Sequence, residues 1–335
     1  MIATIVSGGL KAAVWSLAFV GIVVLLLGGL VAWPVRQPPE LTSISAARKS
    51  VDFSALPAIE RFQARDGTAL GFRHYSVSGP TAGRVAIVIH GSSGSSGTTI
   101  HALSETLAAH GVETFAIDIR GHGASGTRGD ISYVGQLEDD LADFVALVRK
   151  TAPSSPLTLI GHSSGGGFAL RVAGSPIQNL FARTVLLAPY LGYNAPTNRP
   201  NAGGWVSADI PRIIGLLALR AIGINCCDAL PVLAFAVPPN SEKVLVPTYT
   251  DRLMRNFATH RDYRTDIAAA TKPITIIAGA DDELMLADRF AEAVRGISPP
   301  VNVKLIDGVN HMGIVSNPAA ISVIADDVAT AGLSS

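Results

Sequence analysis

The sequence predicts an α/β protein with a mostly parallel central sheet that is covered by helices on both faces. Two observations lead to this class: short apolar runs recur along the chain, and helical stretches lie between them. Strands buried on both faces need no alternation, and the intervening helices imply right-handed crossovers. The runs are residues 85–89, 113–119, 157–160, 184–188, 274–278 and 301–306.

An apolar segment precedes the predicted sheet. Residues 12–35 are uncharged, with Trp15 and Trp33 near the two ends. As a helix this segment is long enough to cross a bilayer core of about 30 Å, and tryptophans are enriched at membrane interfaces. A cleaved signal peptide and a buried helix of a soluble protein are the alternatives, although a signal peptide has a shorter apolar region. We predict a single-pass membrane anchor over residues 1–36.

The side of the membrane on which the body lies stays open. Arg36, Arg48 and Lys49 follow the span and favour a cytoplasmic body, whereas the short N-terminal tail equally suits a body on the other side. Residues 37–56, with Pro38, Pro39 and several serines, are predicted to form a linker.

The body begins with a predicted hairpin, because residues 59–65 and 69–76 alternate around a turn at 66–68. Residues 190–270 interrupt the strand and helix rhythm and are too long for an ordinary loop, so we expect a helical cap insertion there. The core of the body would then have two parts, residues 57–189 and 271–335. The predicted helices of the core are residues 98–110, 136–151, 164–173, 286–296 and 319–330.

The composition argues against several classes of protein. The 26 basic and 26 acidic residues balance, so no basic surplus suggests a nucleic-acid partner. Charged residues make up 16% of the chain against about 25% in ordinary soluble domains. The only cysteines, Cys226 and Cys227, are adjacent, which excludes a disulfide scaffold and a C-x-x-C metal or redox pair; their role stays open.

Residues 161–165, Gly-His-Ser-Ser-Gly, have the G-x-S-x-G form of a nucleophile elbow. The pattern alone is weak, but here it follows a predicted strand and precedes a predicted helix, which is the context the elbow requires. Ser163 would therefore present its hydroxyl at the carboxyl end of the sheet. This serine is the candidate nucleophile.

A serine nucleophile needs a base, and an imidazole oriented by a carboxylate serves near neutral pH. Of the two histidines downstream of Ser163, His260 falls within the insertion, whereas His311 follows the last predicted strand. For the carboxylate, the strand at 274–278 leads into Asp281, Asp282 and Glu283. Asp282 is our choice, with Asp281 and Glu283 as the alternatives.

The oxyanion of an acyl-transfer reaction needs two backbone N–H donors. One comes from the residue after the nucleophile, Ser164, and the other from the loop after the first central strand, where Ser92 is the candidate. That Gly/Ser-rich loop lacks the Lys-Ser/Thr ending of a P-loop and the G-x-G-x-x-G spacing, which argues against nucleotide binding.

Together these residues resemble the α/β-hydrolase fold family over residues 57–332, and within it the monoglyceride lipase and lysophospholipase group, which is grouped with serine aminopeptidase S33-like hydrolases. The resemblance rests on His90-Gly91, the segment 118–125, the elbow at 161–166, the Gly-Ala-Asp-Asp at 279–282 and Asn310-His311. It implies Ser163 as nucleophile, His311 as base, Asp282 as its partner, and the amides of Ser92 and Ser164 as the oxyanion hole. The group often has methionine after the nucleophile, where this chain has Ser164.

The expected activity is hydrolysis of carboxylic esters through an acyl-enzyme, which needs no metal or organic cofactor. The anchor and the apolar cap favour a lipid-like ester such as a monoacylglycerol or a lysophospholipid. Amide hydrolysis, peptide hydrolysis and acyl transfer use the same residues and stay open. A membrane-tethered binding module without activity is the alternative from a different class.

Overall fold

The structure, a computed structural model, describes residues 2–241 and 244–330. In chain order its strands are β1 (Glu60–Gln63), β2 (Ala69–Tyr75), β3 (Arg84–Ile89), β4 (Val112–Ile117), β5 (Leu157–His162), β6 (Arg183–Leu187), β7 (Val206–Ala208), β8 (Pro231–Phe235), β9 (Thr248–Thr250), β10 (Ile274–Gly279) and β11 (Asn302–Ile306). Its α-helices are α1 (Ile2–Val31), α2 (Thr42–Lys49), α3 (Ile100–Ala109), α4 (Gln136–Thr151), α5 (Ser164–Ala173), α6 (Ile210–Ala221), α7 (Asp251–Asn256), α8 (Tyr263–Ala269), α9 (Phe290–Ala293) and α10 (Pro318–Thr330).

Within these residues, the central sheet has eight strands in the order β1-β2-β4-β3-β5-β6-β10-β11. All neighbouring strands pair in parallel except β2, which runs antiparallel to β1 and to β4. The predicted mostly parallel sheet and the predicted N-terminal hairpin are therefore confirmed.

The strand order reverses at β3, because the chain goes first to β4 on one side and later to β5 on the other. The loops that leave β3 and β5 therefore diverge, and in open α/β sheets ligands bind in the crevice outside the carboxyl ends of strands at such a point. β3 and β5 are buried along nearly their whole length, so these loops start from a rigid base. A functional site is expected at this edge of the sheet.

The interval 190–270 differs from the prediction of a purely helical cap. It contains a second, antiparallel sheet of β7, β8 and β9 beside the helices α6 and α7. These strands are only three to five residues long, and the sequence places α6 and β8 in one apolar stretch. Neither helical nor strand periodicity separates such short neighbours. The helix α8, at the end of the interval, packs against α5 of the core.

Two further segments depart from the sequence prediction. The predicted linker contains α2, which forms because Leu41 and Ile44 find apolar partners on the body of the protein. The predicted helix over 286–296 is reduced to a 3-10 turn at Ala287–Arg289 followed by the single-turn α9.

The N-terminal apolar segment is helical. Within α1, the window Val14–Val31 has a mean hydropathy of 2.6, and none of it is buried in the protein. A core helix of a soluble protein would be covered, whereas here Trp15 is 75% exposed. By length and composition this helix is long and apolar enough to cross a membrane.

Candidate active site

Ser163 lies on a sharp turn between β5 and α5, with φ 54° and ψ −118°. The turn is held by backbone hydrogen bonds, since the Ser163 N–H donates to Leu187 O at 2.9 Å and the Ser163 carbonyl accepts from Gly167 N at 3.0 Å. A non-glycine residue with positive φ is uncommon, and such strain is frequent at functional sites.

The two glycines of the elbow have a steric reason. A Cβ at Gly161 would lie 2.2 Å from the carbonyl oxygen of Gly165, and a Cβ at Gly165 would lie 2.3 Å from that of His90. Real Cβ atoms do not approach backbone atoms this closely. The elbow therefore packs directly against the end of β3, which brings Ser163 next to the loop that carries Ser92.

His311 and Asp282 form a buried pair. His311 Nδ1 lies 2.8 Å from Asp282 Oδ2, and both side chains are almost completely inaccessible. The other carboxylate oxygen, Oδ1, accepts from the N–H groups of Leu284 at 2.8 Å and Met285 at 2.7 Å. Burial alone raises the pKa of Asp282, but the charge and hydrogen bond of His311, together with the two amides, outweigh it and hold the pKa below its usual value. The carboxylate is therefore ionised at neutral pH.

The three consecutive carboxylates have different surroundings. Asp281 is exposed to solvent. Glu283 accepts a hydrogen bond from the backbone N–H of His311 at 2.9 Å, so it holds the main chain of the histidine and not its ring. Only Asp282 is bonded to the imidazole.

The backbone amides of Ser92 and Ser164 are available for a ligand. Among the described residues, neither N–H donates to an acceptor of the protein. Ser164 is the first residue of α5, and the first N–H groups of a helix have no partner within it. Ser92 lines the same pocket as Ser163.

The sequence did not indicate how the cap holds the loop of Ser92. Tyr249 Oη accepts from Ser93 N at 2.6 Å, and Ser93 Oγ donates to Val246 O at 2.7 Å. Trp205 Nε1 donates to Ser92 Oγ at 2.8 Å. Because the insertion carries no motif, its residues could not be related to this loop before the fold was known.

His162, the variable residue before the nucleophile, was also missed as a site residue. Its Nε2 donates to the backbone carbonyl of His311 at 3.2 Å. Burial, together with the neighbouring His311, lowers the pKa of His162 to about 3, so this ring stays neutral. It positions the loop of His311 and carries no charge into the site.

Ser163 and His311 line one pocket, but within the described residues no hydrogen bond joins the Ser163 hydroxyl to the His311 ring. The cavity has a volume of about 60 Å³. Besides Ser163 and His311, its walls include Trp205 and Leu245 from the cap and Ile44 and Arg48 from α2. The segment predicted to be a linker is therefore part of the wall of this pocket.

One protein family and several known proteins are similar to this chain. The model of one protein family, Serine aminopeptidase, S33, matches residues 80–315. The monoacylglycerol lipase of Mycolicibacterium smegmatis is 26% identical over 261 residues, which cover 73% of this chain and 86% of that protein. The N-formylmaleamate deformylase of Pseudomonas putida is 24% identical over 61% of this chain and 73% of that protein.

Among solved structures, a soluble variant of monoglyceride lipase from Saccharomyces cerevisiae superposes with a TM-score of 0.60. Its sequence is 17% identical, and the alignment covers 89% of this chain and 96% of that chain. At this identity the likeness shows the fold, and it confirms the prediction of an α/β-hydrolase fold.

Proposed function

The chain belongs to the serine aminopeptidase S33 family of α/β hydrolases, and we propose that it cleaves carboxylic esters through an acyl-enzyme intermediate. The observation that carries the proposal is the 2.8 Å bond between His311 Nδ1 and Asp282, in the pocket that also holds Ser163 on a strained elbow. A nucleophile, a base and a carboxylate that orients the base are the parts of a serine hydrolase.

In the acylation step, His311 Nε2 takes the proton of Ser163 as its oxygen attacks the ester carbonyl. The Ser163 hydroxyl is not bonded to the imidazole in the structure, and catalytic hydrogen bonds are often long until substrate is bound. The negative charge that develops on the carbonyl oxygen is received by the N–H groups of Ser92 and Ser164, for which residues 2–241 and 244–330 offer no acceptor. His311 then protonates the leaving alcohol, and the acyl group stays on Ser163.

In the deacylation step, His311 takes a proton from water, which attacks the acyl-enzyme carbonyl. The acid is released, and the proton returns to Ser163. Throughout, Asp282 keeps the proton of His311 on Nδ1, so that Nε2 is free to act as the base. Because Asp282 is ionised, it also stabilises the imidazolium that forms in each step.

We infer that the substrate is a lipid-like ester such as a monoacylglycerol or a lysophospholipid. The similar monoacylglycerol lipase of Mycolicibacterium smegmatis supports this substrate class. A cavity of about 60 Å³ is small beside the pockets of about 300–1,000 Å³ that hold drug-sized ligands. We infer that α2 or the cap moves aside when a long acyl chain enters.

We also infer that α1 anchors the enzyme in a membrane. The support is its length, its hydropathy and its lack of burial. A signal sequence near the N-terminus can have the same length and hydropathy. An anchored chain keeps residues 1–36 and stays with membranes washed in alkaline carbonate. A chain processed by signal peptidase loses these residues.

Hydrolysis of amides is the second candidate function, and the relative that favours it is the N-formylmaleamate deformylase of Pseudomonas putida. The same residues carry both reactions. A matched pair of substrates, one ester and one amide with identical acyl groups, separates the two candidates by their kcat/KM values.

The decisive test uses the purified chain and its Ser163→Ala variant. We expect a fluorophosphonate probe to label the wild type and not the variant, and activity on p-nitrophenyl esters to be lost in the variant. Full activity of Ser163→Ala contradicts the mechanism, and failure of the folded wild type to react favours a binding module without activity.

A series of acyl lengths tests the substrate class. Each buried methylene contributes about 0.8 kcal/mol, so kcat/KM is expected to rise with chain length. A steep decline beyond about four carbons would exclude the lipid-like substrate, because the gain per methylene would be absent.

A further inference from the structure

The cap presents an uncharged apolar face to the outside of the protein. On α6, the side chains of Ile210, Ile214 and Leu217 are 55%, 51% and 54% exposed, and Ile222 and Ile224 beyond its end are 64% and 45% exposed. Contiguous exposed apolar surfaces are unusual on soluble monomers and mark contacts with proteins or membranes. We call these five residues the apolar face of the cap.

Both arginines of α6 are turned away from the apolar face of the cap. Arg220 is bound by Asp251 at 2.7 Å and by Asp228 at 2.9 Å. Arg212 is buried, and its Nε donates to the carbonyl of Val31 at 2.8 Å. The Arg212 guanidinium is therefore hydrogen-bonded inside the protein, and neither arginine of α6 places a charge on the apolar face of the cap.

Arg212 also joins the cap to the N-terminal helix. Besides Val31, its guanidinium donates to the carbonyl of Trp33, so it satisfies carbonyls that the end of α1 leaves unpaired. Three residues further along α6, Gly215 lets the helices approach closely, because a Cβ there would lie 3.0 Å from Val31 Cγ2. The helices α1 and α6 are therefore packed together and are not separate elements joined by a tether.

Away from this contact the two helices diverge and leave a groove of about 490 Å³. One wall is the side of α1 and the other is formed by Leu219, Ile222 and Ile224. Every residue that lines the groove is apolar or glycine. The apolar surface of the groove is continuous with the exposed surface of Val14–Val31, which we propose to lie in the membrane.

We propose that the apolar face of the cap lies in the boundary between head groups and acyl chains of the bilayer that α1 spans, and that lipid acyl chains fill the groove between α1 and α6. The inference rests on the membrane anchor of the proposed function. An amphipathic helix with an uncharged apolar face binds membranes in this orientation. The packed pair α1 and α6 then holds the cap at the membrane surface.

This position has a consequence for the catalytic pocket. The chain between α1 and α2 is bound to the same cap, since Leu41 N donates to Ala236 O and the Gln37 side chain donates to Val237 O. The helix α2 that follows forms part of the pocket wall. A movement of the cap relative to α1 would therefore be transmitted to the wall through which an acyl chain must pass.

The test uses the full chain, with Cys226→Ser and Cys227→Ser to remove the native thiols, reconstituted in phosphatidylcholine vesicles that contain phosphatidylglycerol. Ile214→Cys and Leu217→Cys each carry an environment-sensitive fluorophore. Val323→Cys on α10 is the matched control, because Val323 is 49% exposed on the body of the protein. Quenching by doxyl groups on the lipid acyl chains is compared with quenching by aqueous iodide.

We expect doxyl lipids to quench positions 214 and 217 several-fold more strongly than position 323, and iodide to show the reverse order. If positions 214 and 217 respond to both quenchers as position 323 does, the inference is overturned. Alkaline carbonate separates this failure from a failure of the anchor: chains that stay in the membrane but have water-exposed positions 214 and 217 refute only the placement of α6. Release by carbonate refutes the anchor and the inference with it.

An independent measurement uses charge instead of a label. Ile214→Asp and Leu217→Asp are expected to lower the rate on a monoacylglycerol embedded in vesicles several-fold and to leave the rate on a soluble short-chain ester unchanged. Val323→Asp is the control for a surface charge elsewhere. Equal rates of all three variants on the embedded substrate would count against the proposal.

Discussion

Replacement of Asp282 by Asn tests the role of the carboxylate with almost no change in shape. In the wild type, Asp282 Oδ1 accepts from two backbone amides, those of Leu284 and Met285, and Oδ2 faces His311 Nδ1 at 2.8 Å. An asparagine must place its carbonyl oxygen where the two N–H groups point, because an amide NH2 group cannot accept from them. Its NH2 group then faces His311 Nδ1.

The expected magnitude follows from the tautomer that this orientation imposes. An NH2 donor opposite Nδ1 makes that nitrogen an acceptor, so the ring proton moves to Nε2, and Nε2 can no longer take the proton of Ser163. In serine proteases this exchange lowers kcat by about 10⁴-fold. We expect about 10³- to 10⁴-fold here, which corresponds to about 4–5 kcal/mol of transition-state stabilisation.

The assay is kcat on a soluble p-nitrophenyl ester, with the thermal unfolding midpoint measured in parallel to show that the variant is folded. Asp281→Asn is the matched control, because it changes the adjacent, exposed carboxylate and should keep nearly full activity. If Asp282→Asn retains more than about one tenth of the wild-type kcat, the loss is below the 1.4 kcal/mol that one tenfold step represents, and the assignment of Asp282 is wrong.

Three further predictions concern the cap, the N-terminal helix and acid stability. Tyr249→Phe leaves the Ser93 N–H without its acceptor, which costs about 1–3 kcal/mol, so kcat should fall with little change in KM. Tyr193→Phe, at an exposed position, should leave kcat unchanged. Equal kcat values of the two variants would contradict the role of Tyr249 in holding the loop of Ser92. Gly215→Leu introduces atoms against Val31 and should destabilise the protein in detergent by about 1–3 kcal/mol. Ala221→Leu, at the exposed end of the same helix, should not destabilise it. An unchanged unfolding midpoint of Gly215→Leu would mean that α1 and α6 are not packed together. The pKa of His162 is about 3 in the folded protein and about 6.5 in the unfolded chain. As pH falls, the unfolded state therefore binds the proton first. The free energy of unfolding should decrease between about pH 6.5 and 3, by up to about 1.4 kcal/mol per pH unit. His162→Gln should flatten this dependence, as measured by urea unfolding at several pH values, and an unchanged slope would contradict the reasoning.

The sheet could be predicted from sequence because each of its central strands is buried on both faces. Such strands appear as apolar runs, and the predicted runs coincide with β3 to β6 and β10 to within a few residues. The last predicted run coincides with β11, although this edge strand is exposed or half-buried. The elbow could be predicted because only glycine fits at positions 161 and 165, where a Cβ would lie 2.2–2.3 Å from a backbone oxygen. Local constraints of this kind can be recognised from the residue types of a short segment.

The cap could not be predicted to the same depth. Its strands are too short for a period to emerge, and α6 and β8 appear as one apolar stretch. The helix α2 was missed for another reason, since it is only eight residues long and packs on the body through Leu41 and Ile44. An element that depends on partners distant in the chain leaves no local pattern.

From the sequence alone the class of fold, the family and the candidate chemistry-bearing residues could be predicted, because strand burial, the elbow and the loop positions after strands are local properties. The sequence also favoured Asp282 over Asp281 and Glu283 as the partner of His311. Only the tertiary structure decided what surrounds each carboxylate: Asp282 bonds the His311 ring, Glu283 bonds the His311 main chain, and Asp281 is exposed. It also decided that Tyr249 holds the loop of Ser92, that α2 walls the pocket, and that Arg212 joins the cap to α1. The bonds between Tyr249 and Ser93 and between Arg212 and Val31 link residues more than 100 positions apart, and only folding brings them together.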